Sequence, residues 1–362
     1  MIVWKRFHEE GLPGVTTIAK VAQEAGVGVG TVSRVLNGSA AVSDTTRRHV
    51  LDVVAELGYE PNATARALST GRTAAVGVIA PFFTRSSVIE RLRGVAPALT
   101  GAGYQLILVD VERPEQRDAA FRSLIGRVDG LLSISLPPSP ADLERLTAAG
   151  VPVVLVDHAH DRLPTITVDD AEGGRLATVH LLELGHERIA FAGDTVDGVH
   201  GGSASSRRCV GYQRALEEAG VPLRPELVTL GPHDREATTM LDDLLSLADP
   251  PTAVFAASDL QGLAVVEAAR EAGVRVPEDL SVVGFDDIEL ARYAGLTTVA
   301  QPLEVSGRRG AELLLAALDG RPVTEPRQHL PLELVVRGTT APPGPGMMRA
   351  VSTDRRIEEE VL

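Results

Sequence analysis

From residue 74 to residue 285 the chain repeats one pattern, and that pattern constrains its fold more than any other feature. Short, nearly continuous apolar runs recur: "AAVGVIA", "YQLILVD", "DGLLSIS", "VPVVLVD", "RIAFAG", "TAVFAA" and "LSVVGF". Between and after them lie segments with helical spacing, among them "SSVIERLRGVAPALTGAG", "GGRLATVHLLELGH", "SRRCVGYQRALEEAG", "LQGLAVVEAAREAG" and "VSGRRGAELLLAAL". Runs this short and this apolar are what buried parallel strands require. Their alternation with helices predicts doubly wound α/β sheets. A span of roughly 270 residues is large for one such sheet and natural for two. A ligand cleft is then expected between them, at the C-terminal ends of the strands.

The chain has 362 residues and a net charge of −14, which at first argues against a polyanionic partner. Counted by segment, however, residues 1–72 hold eight Lys/Arg against seven Asp/Glu, so all the surplus acid lies beyond them. An acidic body with a nearly neutral head is what one expects if only the head approaches nucleic acid. The single cysteine, Cys209, excludes an internal disulfide and a multi-cysteine metal cluster, which fits a reducing cytoplasm. No apolar run is long enough to span a bilayer, and the opening residues lack a secretory core, so a cytoplasmic protein is expected.

The head reads as three short helices. "TTIAKVAQEAG" places Ile18, Val21, Ala22 and Ala25 on one face, with Thr17 as N-cap and Gly26 as left-handed stop. Val32, Val35 and Leu36 give a second helix ending near Asn37-Gly38. "SDTTRRHVLDVVAELGY" gives a third, with Ser43 as N-cap, Val50, Val53, Val54 and Leu57 on one face, and Gly58 as stop. Joined by a tight glycine turn, the first two predict a helix-turn-helix. The glycines of "GVGVGTVSRVL" also resemble a dinucleotide-binding loop, but such a loop must follow a buried strand, and this one follows a helix. A purely structural turn would explain Gly26. It would not explain Thr31, Ser33, Arg34 and Asn37 on the polar face of the next helix, groups suited to phosphate oxygens and base edges.

"TTIAKVAQEAGVGVGTVSRVLNG" through "LSTGRT" resembles the DNA-binding segment of the lactose/galactose repressor (LacI/GalR) family, nearly residue for residue. The resemblance implies that the helix containing "TVSRVLN" is the recognition helix. Val29 and Gly30 would occupy the two main base-reading positions, Arg34 would be a further base contact, and Thr17, Thr31, Ser33 and Asn37 would anchor the backbone. Two departures matter. Gly28 replaces the family's serine cap, and neither Val29 nor Gly30 offers a side-chain hydrogen bond. More of the specificity should therefore rest on Arg34 and on DNA shape.

The next stretch, "YEPNATARALSTGRT", reads from composition as a linker. The resemblance instead implies a hinge helix that folds on the operator, with Asn62 as its cap, Ala65 where two hinge helices touch and Leu68 as a minor-groove wedge. Ordering it only on specific DNA would give a switch.

Further blocks, "TVDDAEGGRLATVHLLELGHERIAFAGD", "ASDLQGLAVVEAAREAGVRVPEDLSVVGFDDIELA" and "LTTVAQPL", are similar to the family's ligand-binding domain, itself similar to periplasmic sugar-binding proteins. The resemblance covers about residues 16–340 and carries ligand contacts onto Asp157, Arg208, Ser258, Asp259, Asp286 and Gln301. Such groups suit a sugar, because carboxylates and an amide pair with vicinal hydroxyls and an arginine forks across two of them. Singly each has a duller reading: Asp259 as a helix cap, Asp286 as a loop solvator, His186 as a packing residue. The loop "APFFTRSSVIERLRG" departs from the family, adding Phe83 as a candidate platform for a pyranose and Arg85 as a candidate partner of an anionic ligand.

Together these features predict an N-terminal all-α helix-turn-helix DNA-binding domain and an α/β two-lobed, periplasmic-binding-protein-like effector domain of two doubly wound parallel sheets. The expected boundaries are a disordered arm at 1–15, the helix-turn-helix at 16–60, a hinge at 61–72, the effector and dimerisation domain at 73–340, and a disordered tail at 341–362. Lobe one is expected at approximately 73–169 and 302–325, and lobe two at approximately 170–301 and 326–340. With no nucleophile elbow, zinc-protease motif or phosphate loop, the chain reads as no enzyme, with no cofactor and no metal. It reads as a homodimeric repressor of a pseudo-palindromic double-stranded operator, allosterically controlled by a small molecule, a sugar or sugar derivative, with no membrane partner. The alternatives are a stand-alone sugar-binding protein and a regulator answering to a purine or a protein co-repressor.

Overall fold

The structure is a computed structural model, and it describes residues 16–36, 41–59, 72–83, 85–194, 204–231 and 237–344. The chain divides into two compact units, Met1–Ala74 and Ala75–Leu362.

In the first unit, α1 (Ile18–Glu24), α2 (Val29–Leu36) and α3 (Asp44–Glu56) enclose a small core of Val21, Ala22, Ala25, Val32, Val35, Val50, Val53 and Tyr59. Thr17 caps α1, its hydroxyl accepting from the Lys20 N–H at 3.4 Å, and Ser43 caps α3 through the Thr46 N–H at 3.3 Å. Gly26, at φ +62°, turns the chain out of α1 while the Val27 N–H donates back to the Ala22 carbonyl at 3.0 Å. A residue with a Cβ would be strained there, which is why glycine ends the helix. This is the predicted helix-turn-helix. Asn37 and the hinge residues Asn62, Ala65 and Leu68 lie outside the described residues, as do 1–15 and 345–362.

The second unit contains two six-stranded sheets. The first has the order β11-β5-β4-β3-β1-β2, from β1 (Ala75–Ala80), β2 (Gln105–Asp110), β3 (Gly130–Ile134), β4 (Val153–Val156), β5 (Thr165–Thr167) and β11 (Arg327–His329). The second has the order β12-β10-β9-β8-β6-β7, from β6 (Ile189–Asp194), β7 (Val228–Gly231), β8 (Ala253–Ala256), β9 (Ser281–Asp286), β10 (Thr297–Ala300) and β12 (Glu333–Val335). One winding is thus used twice. All pairings are parallel except that of β12 with β10. Apolar strand residues such as Ile79, Leu132 and Val154 in the first sheet, and Phe191, Phe255 and Val283 in the second, are buried under flanking helices.

In each lobe two helices meet backbone to backbone through glycines. Helices α4 (Ser86–Gly101) and α12 (Leu303–Leu318) touch at Gly94 and Gly307, where a Cβ would lie 2.0 Å from the carbonyl oxygens of Glu304 and Arg91 respectively. Helices α7 (Asp170–Glu183) and α8 (Ala204–Glu218) touch at Gly174 and Gly211, where a Cβ would lie 2.1 Å and 1.9 Å from the carbonyls of Arg208 and Ala171.

The chain crosses between the lobes three times: from β5 to α7, from β10 to α12, and from β11 to β12. The last crossing corrects the sequence reading, which assigned 326–340 wholly to lobe two. "RQHLPLELV" reads as one strand, but Pro331 cannot donate to a ladder. Arg327–His329 therefore pairs with Thr165–Thr167 of the first sheet, and only Glu333–Val335 joins the second.

Candidate functional site

On α2, Val32 and Val35 face the small core, which turns the rest of the helix outwards. Val29 is 46 % exposed, Gly28, Gly30 and Arg34 are exposed, and Thr31 and Ser33 are half-buried. Thr17, also exposed, stands at the start of the preceding helix. The Nε of Arg34 donates to the Gly30 carbonyl at 3.1 Å, so the side chain lies along its own helix. A short helix start and one arginine stand clear of the core, a face a major groove can accept.

In the second unit the strands of both sheets end at one cleft. Its empty space, including the part open to solvent, is about 870 Å³. Of the residues suggested by the sequence, Arg85, Asp157, Arg208, Ser258, Asp286 and Gln301 line it. Each follows or ends a strand, except Arg85, which precedes α4, and Arg208, which sits on α8. Non-glycine residues with positive φ gather at these strand ends: Phe82 (51°), Ser135 (54°), Asp157 (67°), Asp286 (123°) and Asp287 (57°). Backbone of this kind persists only where the surroundings over-determine it, and it concentrates at ligand-binding sites.

Two predicted residues do not line the cleft. Asp259 is fully buried behind it: one carboxylate oxygen accepts from the Ile288 N–H at 2.9 Å and the other from the Thr298 hydroxyl at 2.5 Å. The cap of helix α10 (Asp259–Glu271) is Ser258, whose hydroxyl accepts from the Gln261 N–H. Phe83 points away, 38 % exposed, its N–H donating to the Asp110 carboxylate at 3.1 Å. Phe82 instead packs on the lobe-one core, with the Arg85 guanidinium 4.1 Å from its ring centre. Among the described residues no Phe, Tyr or Trp ring lines the cleft.

The walls are built from arginine–carboxylate pairs. Arg91 of α4 reaches Asp157 at 3.2 Å. Arg208 of α8 reaches Asp170 at 3.0 Å and Asp286 at 3.7 Å, its guanidinium lying 3.6 Å above the Phe285 ring. Arg207 holds the other oxygen of Asp170 at 2.7 Å. Gln301 donates to Asp286 at 2.6 Å, Ser135 donates to Asp157 at 2.6 Å, and Gln261 donates to Asp194 at 3.1 Å. Burial would push the Asp157 carboxyl up, but Arg91 and the Ser135 hydroxyl outweigh it and hold that carboxyl below its ordinary value. Asp286 goes the other way: burial raises it, only partly offset by Arg208 and Arg91. Burial and neighbouring Asp286 push Asp259 up to about 7. Burial lowers Arg85 against the opposing charge of Asp194, and burial together with Arg207 lowers His158. The cleft therefore offers carboxylates, the Gln301 amide and guanidinium edges, each guanidinium set against a carboxylate.

The sequence reading missed Arg91, Ser135, Asp194 and Arg207. Arg91 carried a signal: it falls on the buried stripe Val88–Arg91–Val95–Leu99 of α4, where an arginine needs a partner inside the protein. His186 is a packing residue, bonded to Thr252 (2.8 Å), Ser281 (3.0 Å) and the Ala341 carbonyl (2.9 Å).

A helix-turn-helix unit joined to a two-lobed α/β unit with a polar cleft is the architecture of a DNA-binding regulator. Residues 17–62 match the model of bacterial regulatory proteins of the lacI family, and residues 178–340 match the periplasmic binding protein-like domain. The HTH-type transcriptional regulator CelR of Thermobifida fusca is 38% identical over 334 residues, covering 89% of this chain and 97% of the relative. A structure of the transcriptional regulator CelR–cellobiose complex matches with a TM-score of 0.65 and 36% identity, over 90% of this chain and 99% of that one. The lac repressor dimer bound to operator and the anti-inducer ONPF matches with a TM-score of 0.77 and 28% identity, again over 90% and 99%. The chain belongs to the lacI family and is a DNA-binding transcriptional regulator. Among the described residues no helix is long and apolar enough to cross a membrane.

Proposed function

We propose that this regulator is a repressor that binds a pseudo-palindromic operator as a homodimer and answers to a neutral carbohydrate in the inter-lobe cleft. The observation that carries the reading is the convergence of Asp157, Arg208, Asp286 and Gln301, drawn from both lobes, on one cleft of a lacI-family chain. Vicinal hydroxyls can donate to the carboxylates and accept from the arginine and the amide. The matched solved structures include a cellobiose complex and an operator-bound dimer, which supports the ligand class and the assembly. On the DNA side, Val29, Gly30 and Arg34 face the groove, while Thr17, Thr31, Ser33 and Asn37 hold the backbone. Asn62, Ala65 and Leu68 would form the hinge.

Neutral rather than anionic is favoured by charge. The wall guanidiniums Arg85, Arg91, Arg207 and Arg208 interact with Asp194, Asp157, Asp170 and Asp286, leaving little net charge for an anion. Closure around a ligand that touches both lobes would change the spacing of the hinges and hence operator affinity.

The test is a selection of genomic fragments by the purified protein, followed by anisotropy titrations with and without neutral and anionic sugars, cellobiose first. Expected are an enriched palindrome and a neutral sugar that shifts its affinity. Equal enrichment of all fragments would overturn the operator reading. A response only to anionic sugars, lost in Arg85→Ala, would overturn the neutral one.

A further inference from the structure

Arg91 has no counterpart among the residues the sequence suggested, yet it stands at the centre of the unit. It is 3 % exposed, and its backbone carbonyl packs against Gly307 of α12, which fixes the main chain from which the guanidinium projects. One nitrogen, Nη2, is shared between the lobe-one carboxylate of Asp157 at 3.2 Å and the Oε1 of Gln301 at 3.3 Å. Gln301 begins the crossing from β10 to α12, and its Nε2 donates to Asp286 at the end of β9 in lobe two, at 2.6 Å. A continuous polar relay therefore runs from Ser135 and Asp157 through Arg91 and Gln301 to Asp286 and Arg208.

Arg91 also borders a second, smaller cavity of about 190 Å³ including the part open to solvent, whose wall includes Thr167 at the end of β5, Val168 of one crossing, and Gln301 and Pro302 of another. Arg91, Asp157 and Gln301 face both cavities, so the same three side chains stand between the cleft and the two crossings. The buried Nε of Arg91 has no hydrogen-bond partner, so the guanidinium is held by its terminal nitrogens alone.

We propose that Arg91 is a positioning residue that sets the closure angle of the lobes, by holding a lobe-one carboxylate and a hinge amide on one guanidinium nitrogen. A hydroxyl arriving at Asp157 or Asp286 meets an acceptor the relay already uses, so ligand and closure compete for the same atoms. The regulatory consequence rests on the reading of the cleft as the ligand site. The relay itself can be measured without any ligand.

Hydrogen exchange of the full-length, ligand-free protein supplies that measurement. Arg91→Met combined with Asp157→Asn removes both charges and leaves no buried ion alone. Amides of Thr167–Asp170 and Ala300–Leu303 are expected to exchange at least roughly tenfold faster, the size expected for losing a charge-assisted hydrogen bond. Strands β3 and β8 should stay unchanged, and Arg91→Lys should restore much of the protection. Gln301→Met leaves the Arg91–Asp157 pair intact and should loosen the same crossings, so it decides the matter if the double variant does not fold. Unchanged exchange in the crossings, or equal loosening of β3 and β8, would overturn the proposal. Failure of every sugar to bind would leave these exchange rates as they are and overturn only the ligand reading.

Discussion

Arg34 bonds to the Gly30 carbonyl of its own helix, an exposed hydrogen bond that water can replace at little cost. The guanidinium is therefore available to a guanine edge. Arg34→Ala is expected to weaken operator binding by about 1–3 kcal/mol and to relax base preference, with ligand binding unchanged. Anisotropy titrations on the enriched fragment and its single-base variants would show it, and an unaltered affinity would remove Arg34 from the interface. Asp259 makes a different residue-scale prediction. Its carboxyl is raised to about 7 by burial and Asp286, so between the ordinary value of about 4 and that pH the folded chain keeps a proton the unfolded chain has lost. The stability this group contributes is complete at low pH and falls as pH rises through about 7. Asp259→Asn, able to accept from Ile288 and donate to Thr298, should flatten that slope. Melting temperatures between pH 5 and 8, followed on the two-lobed unit, would be compared with the parent, and an unchanged slope would exclude Asp259 as its source. Asp157 and Asp286 were legible in the sequence because they close apolar runs, and strand ends are where open α/β sheets place ligands; Gln301 came only from the family resemblance, since the strand before it was not read. Asp259 shared that position in the sequence, but a residue at a helix start can turn into the core as readily as out, and here it turns in.

Helix contact is decided by the glycines where α4 meets α12 and α7 meets α8. Alanine at Gly94 or Gly211 would gain about 1 kcal/mol of intrinsic helix propensity. Against this stands a Cβ placed 2.0 Å or 1.9 Å from a backbone carbonyl, which no rotamer change relieves. Overpacking of that kind costs about 1–3 kcal/mol or more, so each variant should melt lower than the parent. Higher melting would mean the helices can part without penalty. Buried strands and long helices were readable from their apolar runs, since β1, β3, β4, β8 and β9 are covered on both faces. Strands β5, β10 and β11 were not read as separate elements. Each has only three or four residues, with threonine or charge in place of a branched apolar run, and each exists because a neighbouring strand offers it a ladder. Helix α11 (Glu289–Ala294), of six residues, is also too short to stand alone and depends on tertiary packing, through buried Ala291.

At the scale of the whole molecule, one sheet order occurs twice and the chain passes between its two copies three times. The three passages use Val168–Asp169, Gln301–Pro302 and Leu330–Leu332, each beginning where a strand of one sheet stops. A single tether would let two bodies twist and separate freely; three roughly side by side leave opening and shutting as the easy motion and resist torsion. A protease that severed one passage would find the halves still fastened by the other two. Such a nicked protein should leave a sizing column as one species under native conditions, coming apart only when a denaturant dissolves the sheets.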